Sequence, residues 1–167
     1  GNILVYDNGG WAGYDNPNPG APIGVKAAQR DYTRILEFDP ITLKIVWQYT
    51  PHEAGFVVPL DASRFYSPFI SSAQRLPNGN TLITEGSDGR LIEVTADHEI
   101  VWEFINPVVF GKAQPIMHDS DMTKAHYCMG NMIHRAYRYA PDYPGLKGKK
   151  LDKPVKFVPD WPHFLDV

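Results

Sequence analysis

Two stretches of this sequence repeat one another. Arg34-Ile-Leu-Glu-Phe38 followed by Lys44-Ile-Val-Trp-Gln-Tyr49 returns as Arg90-Leu-Ile-Glu-Val94 followed by Glu99-Ile-Val-Trp-Glu-Phe104, with Trp47 and Trp102 standing 55 positions apart. A third matching piece precedes each copy, Gly1-Asn2-Ile3-Leu4 before the first and Gly79-Asn80-Thr81-Leu82 before the second. Self-similarity of this kind marks architectures whose units cannot cover their own apolar faces and must stack on neighbours. Each piece is β-branched or aromatic at alternating positions. Each ends in turn chemistry, Asp39-Pro40 in one copy and Ala96-Asp97-His98 in the other, so the pieces predict strands joined by hairpins.

The second copy carries a fourth strand in front, Ile70-Ser-Ser-Ala-Gln-Arg-Leu76, joined through the hairpin signal Pro77-Asn78-Gly79-Asn80. Four antiparallel strands make one blade of a β-propeller, in which the outer strand packs on its neighbour. Trp47 and Trp102 are therefore expected at equivalent, largely buried positions. A β-sandwich is the competing architecture. The first copy has no preceding strand, so residues 3–6 are expected to pair with a strand from another polypeptide or from an upstream segment. Asn131-Met-Ile-His-Arg-Ala-Tyr-Arg-Tyr139 is strand-like and is expected to open a further blade. The reading is all-β: a partial propeller domain over 1–139, with blade segments 1–50 and 65–105 and the next blade from 131, followed by a Pro-rich extended arm over 140–167. Two blades fall short of the roughly four to eight of closed propellers, so a companion chain or upstream segment is expected to complete the ring.

Composition agrees with many short elements. Aromatic residues make up 13%, and there are 15 prolines and 14 glycines. Sixteen Lys and Arg against 19 Asp and Glu leave a net charge of -3, which is not the cationic footprint of a nucleic-acid binder. Cys128 is the only cysteine, so no internal disulfide forms and the compartment stays open between cytoplasm and periplasm. No apolar run approaches the roughly 20 residues of a membrane-spanning helix. The sequence opens directly into a strand pattern, with no targeting segment expected in it.

Gly1-Asn-Ile-Leu-Val-Tyr-Asp-Asn-Gly-Gly10, Phe65-Tyr-Ser-Pro-Phe-Ile-Ser-Ser-Ala-Gln-Arg-Leu-Pro-Asn-Gly-Asn-Thr-Leu-Ile83, Gly89-Arg-Leu-Ile-Glu-Val94 and Arg135-Ala-Tyr-Arg-Tyr139 resemble the arylsulfotransferase-like β-propeller family over most of residues 1–145. The resemblance implies a six-bladed propeller with a reaction centre at the channel mouth. It also implies sulfuryl transfer between phenols through a histidine nucleophile, with further His and Arg binding the sulfate, and a periplasmic or secreted setting. The histidine-rich segment that such proteins carry upstream does not occur among these residues. Histidine stands at position 134, where relatives often have an aromatic or aliphatic side chain, and residues 111–130 read as a local elaboration.

Candidate chemistry falls in three places. His134 and Arg135 begin the strand-like run after 131, and Tyr66 precedes the matching strand of the other repeat. There they offer a proton acceptor, an anion clamp and a hydroxyl donor at one end of adjacent blades. Tyr137 follows on the same run. Arg135 and Arg138 read equally as inter-blade arginines bonded to backbone carbonyls. His118, Asp119, Asp121, His126 and Cys128 crowd an irregular segment, where His118 is a further acid/base candidate and His126 a substrate contact. The five together are a candidate metal set without a recognised ligand spacing, and turn-capping is its bland alternative. Trp11, with Tyr14 and Asn16, is a candidate aromatic lining in the first long connection. His52, His98 and His163 read as solvent-facing. The reading is an enzyme acting on a small aromatic or phenolic substrate, by arylsulfotransferase-like group transfer or by lyase or hydratase acid/base chemistry. The alternatives are a non-catalytic propeller scaffold subunit and a metal- or quinone-dependent oxidoreductase.

Overall fold

The computed structural model describes residues 1–8, 32–58, 60–61, 64–109, 112–113 and 131–150. They form two antiparallel meanders and almost no helix. Sheet I is β1 (Ile3–Asp7), β2 (Arg34–Phe38) and β3 (Ile45–Tyr49), in that order. Sheet II is β4 (Ser71–Arg75), β5 (Thr81–Glu85), β6 (Arg90–Val94) and β7 (Ile100–Ile105), also in sequence order. A two-residue ladder joins β8 (Val108–Val109) to β9 (Lys112–Ala113). The strands fall on the segments that alternation predicts, and the described residues do not close into a ring.

The repeat is reproduced in register. Glu37 lies opposite Trp47 and Glu93 opposite Trp102, while Ile3 faces Phe38 as Thr81 faces Val94. Both sheets carry the same irregularity, between Glu37 and Phe38 in one and between Glu93 and Val94 in the other. A bulge places an extra residue on one strand and increases the local twist, so its recurrence ties the two sheets to one design. The turns before β3 and β7 agree as well, since Leu43 and His98 both sit at positive φ, 58° and 71°. Non-glycine residues there carry a backbone cost, and each stands last in its loop, which has four residues between Asp39 and Lys44 and three between Thr95 and Glu99.

Sheet I packs on sheet II with β1 against β4. The shared core is Ile35, Tyr49 and Phe65 against Ile83, Ile92 and Val94, with Leu4, Tyr6, Trp47 and Ala73 at its margin. By strand alternation, sheet I contributes the face bearing Leu4, Tyr6, Ile35, Glu37, Trp47 and Tyr49. The corresponding positions in sheet II are Leu82, Thr84, Leu91, Glu93, Trp102 and Phe104, and they lie on the face turned away from sheet I. The two sheets are therefore stacked head to tail. A symmetric sandwich would bring like faces together.

One contact recurs at both levels of the stack. In sheet I, Glu37 accepts a hydrogen bond from Asn2 at 2.9 Å and an ion pair from Arg75 of β4, whose guanidinium lies 4.7 Å from the Trp47 ring centroid. In sheet II, Glu93 accepts from Asn80 at 2.7 Å and pairs with Arg138, whose guanidinium lies 4.6 Å from the Trp102 ring. Arg138 thus occupies on sheet II the place that Arg75 occupies on sheet I, and its partner is a carboxylate where a backbone carbonyl was the expected acceptor. Residues 133–138 correspond to the stretch ending β4, but they form no ladder. The Arg138 amide is met instead by the Gln74 side chain, which bonds both the N–H at 2.8 Å and the carbonyl at 3.0 Å, and the Ile133 N–H bonds Gly86 O. The strand expected over 131–139 does not form: no described strand pairs with the segment, and side-chain amides of Gln74 and Asn106 meet some of its backbone groups.

Burial also departs from expectation. Trp47 is half-buried and donates its indole N–H to Ala96 O, whereas Trp102 is 39% exposed. Trp47 has a sheet stacked on it, while among the described residues Trp102 has Arg138 and the stacked ring of Phe104. His98 is not solvent-facing: its ring lies 5.6 Å from Trp47 and 6.1 Å from Tyr49. No helix among the described residues is long and apolar enough to cross a membrane.

Candidate functional site

The antiparallel order sorts the connections by length. Tight turns at 39–44, 76–80 and 95–99 lie at one end of both sheets. The segments 8–33, 50–70, 86–89 and 106 onward all leave from the other end, and connections held in this way by a rigid scaffold are where binding and catalytic residues concentrate.

Ser67 organises this loop end. Its backbone N–H bonds Thr33 Oγ1 at 2.8 Å, and its carbonyl accepts from Asn8 at 2.9 Å and from Thr33 at 3.1 Å. Its hydroxyl donates to Phe69 O and accepts from Ser71 Oγ and from the Ser87 N–H. Ser67 therefore knits the end of β1 and the start of β2 to sheet II. With its donor committed to a carbonyl and no hydrogen bond to a carboxylate or imidazole among the described residues, the hydroxyl is not set up as an activated nucleophile.

Three titratable groups surround this node. Glu85 ends β5 at 1% exposure, accepting from the Tyr66 N–H at 2.7 Å and from Arg90 at 3.4 Å. Burial pushes its carboxyl up to about 8, against the pull of Arg90. Arg90 also bonds Glu103, so its charge is shared and desolvation of Glu85 wins. Asp88, in the 3-10 turn Gly86–Asp88, is only partly buried, and desolvation raises it to about 6. Burial, followed by the nearby Glu85 charge, holds the Tyr6 phenol well above its ordinary range.

The Gly86–Asp88 turn is also the hinge between the predicted site residues. On one side the Ser87 hydroxyl bonds Tyr66 O; on the other, Gly86 O accepts from Ile133 N–H and Asp88 O accepts from the Asn131 side chain at 2.9 Å. A Cβ at Gly86 would run into the carbonyl oxygens of both Ile70 and Ile133, so glycine is required for this approach. Tyr66 and His134 thus reach the loop end from opposite sides of one turn. Tyr66 is half-buried; His134 is exposed, with no side-chain hydrogen bond to a described residue. Arg135 and Tyr137 meet directly, with Nη1 donating to the Tyr137 hydroxyl at 2.8 Å. His118, His126 and Trp11 lie outside the described residues, as does the set His118, Asp119, Asp121, His126 and Cys128. Among the described residues no group of three metal-ligating side chains converges.

The sequence reading missed Asp88 and Glu85. The signal was present in Gly86-Ser-Asp-Gly89, a turn placing an acid beside two glycines at a strand end, but these residues also read as blade-forming. A groove of about 490 Å³ lies at the opposite, tight-turn end, between Arg75, Leu76 and Pro77 and residues 138–144. It is open, and its two arginines already bind Glu37 and Glu93, so it adds no site chemistry. Comparison with family models, with curated proteins and with solved structures gives no match.

Proposed function

We propose that this chain is the site-bearing part of a β-propeller enzyme that acts on a small aromatic or phenolic molecule at the loop end of its blades. The supporting observation is that the strand ends from which the long connections leave meet, with Tyr66, Glu85, Asp88 and residues 131–134, at one end of two head-to-tail sheets. In this reading His134 accepts a proton from the substrate, Arg135 braced by Tyr137 holds an anionic group, and Tyr66 or Asp88 supplies a proton. The resemblance to arylsulfotransferase-like propellers favours sulfuryl transfer over lyase or hydratase chemistry, and a periplasmic setting. The test is release of nitrophenol from p-nitrophenyl sulfate, with phenol as acceptor, by the wild-type chain and by His134→Gln. Turnover lowered about 100-fold in the variant supports the assignment. Absence of both turnover and binding of the probe overturns it.

A non-catalytic scaffold is the second reading. It is favoured by the repeated Asn–Glu–Arg–Trp contact, which builds interfaces, and by the position of the described groove at the opposite end of the sheets from Tyr66, Glu85 and Asp88. Assembly without probe binding would select it.

A further inference from the structure

The repeat supplies an internal reference for Glu85. Strand register places Asp7 of β1 opposite Arg34 of β2, and Glu85 of β5 opposite Arg90 of β6, at the same loop-end position of the two sheets. In sheet I the two form a direct ion pair, 2.8 Å from Arg34 Nε to the Asp7 carboxylate, whose side chain is 25% exposed. In sheet II the Arg90 Nε turns instead to Glu103, and Nη1 reaches Glu85 at 3.4 Å. The difference traces to one residue of the outer strand. Glu103 stands in β7 where the repeat has Gln48 in β3, whose amide carries no charge and bonds Glu53.

The carboxyl that Arg90 leaves under-neutralised takes a different partner. Glu85 Oε1 accepts from the Tyr66 N–H at 2.7 Å, across 19 positions of chain, and the residue is buried. Among the described residues, the charged and titratable groups facing it are Arg90 from β6, Asp88 from the 3-10 turn, Tyr6 from β1 and Tyr49 from β3, with Glu103 of β7 behind Arg90. One cation is thus divided among several acids, and an ionised Glu85 is better compensated by water than by its buried surroundings. Tyr66 is fixed on both flanks. Phe65 is buried edge-on to Tyr49 at 5.2 Å, and the Ser67 N–H bonds Thr33. Glu85 receives the amide between them.

We propose that Glu85 positions Tyr66 in the loop-end site as a proton-held latch: the neutral carboxyl keeps the Tyr66 main chain seated, and ionisation lets it go. Linkage sets the direction. A conformation in which Tyr66 lifts and water reaches Glu85 gives the carboxyl its ordinary acidity, whereas in the seated conformation burial holds it up at about 8. Rising pH therefore favours the lifted conformation, from the ordinary carboxylate range upward, until the seated form itself ionises at about 8. The seated form is fully favoured in acid and weakens toward alkaline pH. Asp7, part-exposed and paired directly with Arg34, gives sheet I no such device. The latch rests on the loop-end reading for the role of Tyr66, and it adds a control over that residue.

The experiment is amide hydrogen exchange on the 167-residue chain without any probe, each rate divided by the intrinsic rate of that amide at the same pH. Opening at the Tyr66 N–H should rise roughly tenfold to a hundredfold between about pH 6 and about pH 9, and by more than at the β5–β6 ladder amides, which report wider unfolding. Glu85→Gln keeps an acceptor for the N–H, so Tyr66 should stay protected with no such rise. Glu103→Gln changes a part-exposed side chain to the residue of the other repeat; it should return Arg90 to Glu85 and shrink the rise by about threefold or more. Equal rises at Tyr66 and at the ladder amides overturn the latch, and so does an undiminished rise in either variant. Turnover of p-nitrophenyl sulfate separates the two readings. A working latch with neither turnover nor binding of the probe would retire the loop-end reading alone. Turnover with a flat Tyr66 profile, and the same alkaline limb in wild type and Glu85→Gln, would retire the latch alone.

Discussion

Glu85 and Asp88 are carboxyls that folding makes harder to ionise, and this sets the sign of their effect on stability. Both have folded pKa values above those of the unfolded chain, about 8 and about 6 against roughly 4, because burial penalises the charged form. Between those values the native state binds more protons than the unfolded state. The stability these groups permit is complete below about pH 4 and is lost as pH rises through 6 for Asp88 and 8 for Glu85. Glu37, held low first by the Asn2 side chain and then by Arg75, acts oppositely, as do Asp39 and Glu53, whose contributions disappear as pH falls through the ordinary carboxylate range. We expect urea-unfolding stability to peak near pH 5 and to fall by roughly 1–3 kcal/mol by pH 8. Glu85→Gln retains an acceptor for the Tyr66 N–H, and it should flatten that decline. A decline of unchanged size in Glu85→Gln would show that other groups carry it.

The sheets show which elements can be read from sequence and which cannot. Strands β4 to β7 and their hairpins were legible because alternation, Pro77-Asn78-Gly79-Asn80 and Asp97-His98 are local signals. Residues 131–139 carry the same alternation yet form no strand, since pairing depends on a neighbour that local pattern does not reveal. For the same reason the sequence identified Trp102 as the equivalent of Trp47 but not its exposure: periodicity gives the face, while cover comes from tertiary stacking. The contact of Glu37 with Arg75 spans 38 positions and was unreadable from spacing, and of the site only Tyr66 and the 134–137 run were visible. Two predictions follow at this scale. Trp47→Ala should cost about 3–4 kcal/mol in urea unfolding, and Trp102→Ala about 1, because the first empties a packed interface and the second uncovers an edge strand. Gly86→Ala should cost about 3 kcal/mol or more, since its Cβ meets two backbone carbonyls that cannot rotate aside. It should also free residues 131–139, making them the first site of limited proteolysis. A Gly86→Ala chain with wild-type stability would mean the turn tolerates a different approach.

Across the whole molecule the stack is held by the apolar core and by a polar contact repeated at each level, and the two copies of that contact differ in a way that double-mutant cycles can measure. The Glu37 side chain is 22% exposed and Arg75 31% exposed, so their attraction is partly screened and their coupling energy should be about 0.5–1 kcal/mol. Glu93 is 5% exposed and also accepts from Asn78 and Asn80, so its carboxylate is desolvated and should couple to Arg138 by about 1–3 kcal/mol. The single variants should be asymmetric. Arg138→Ala leaves a buried carboxylate with the amide donors of Asn78 and Asn80 among the described residues, whereas Glu93→Gln leaves a guanidinium that is 38% exposed and can turn to water. Arg138→Ala should therefore destabilise more than Glu93→Gln, by roughly 1 kcal/mol. If the head-to-tail stack is the organising unit, Arg138→Ala should also release residues 133–138 from sheet II, seen as faster amide exchange at Ile133 and Arg138. Arg75→Ala should leave β4 protected, because β5 still pairs with it. Equal exchange in the two variants would mean that Arg138 is not what holds the final segment to sheet II, and the equivalence between the two levels would fail there.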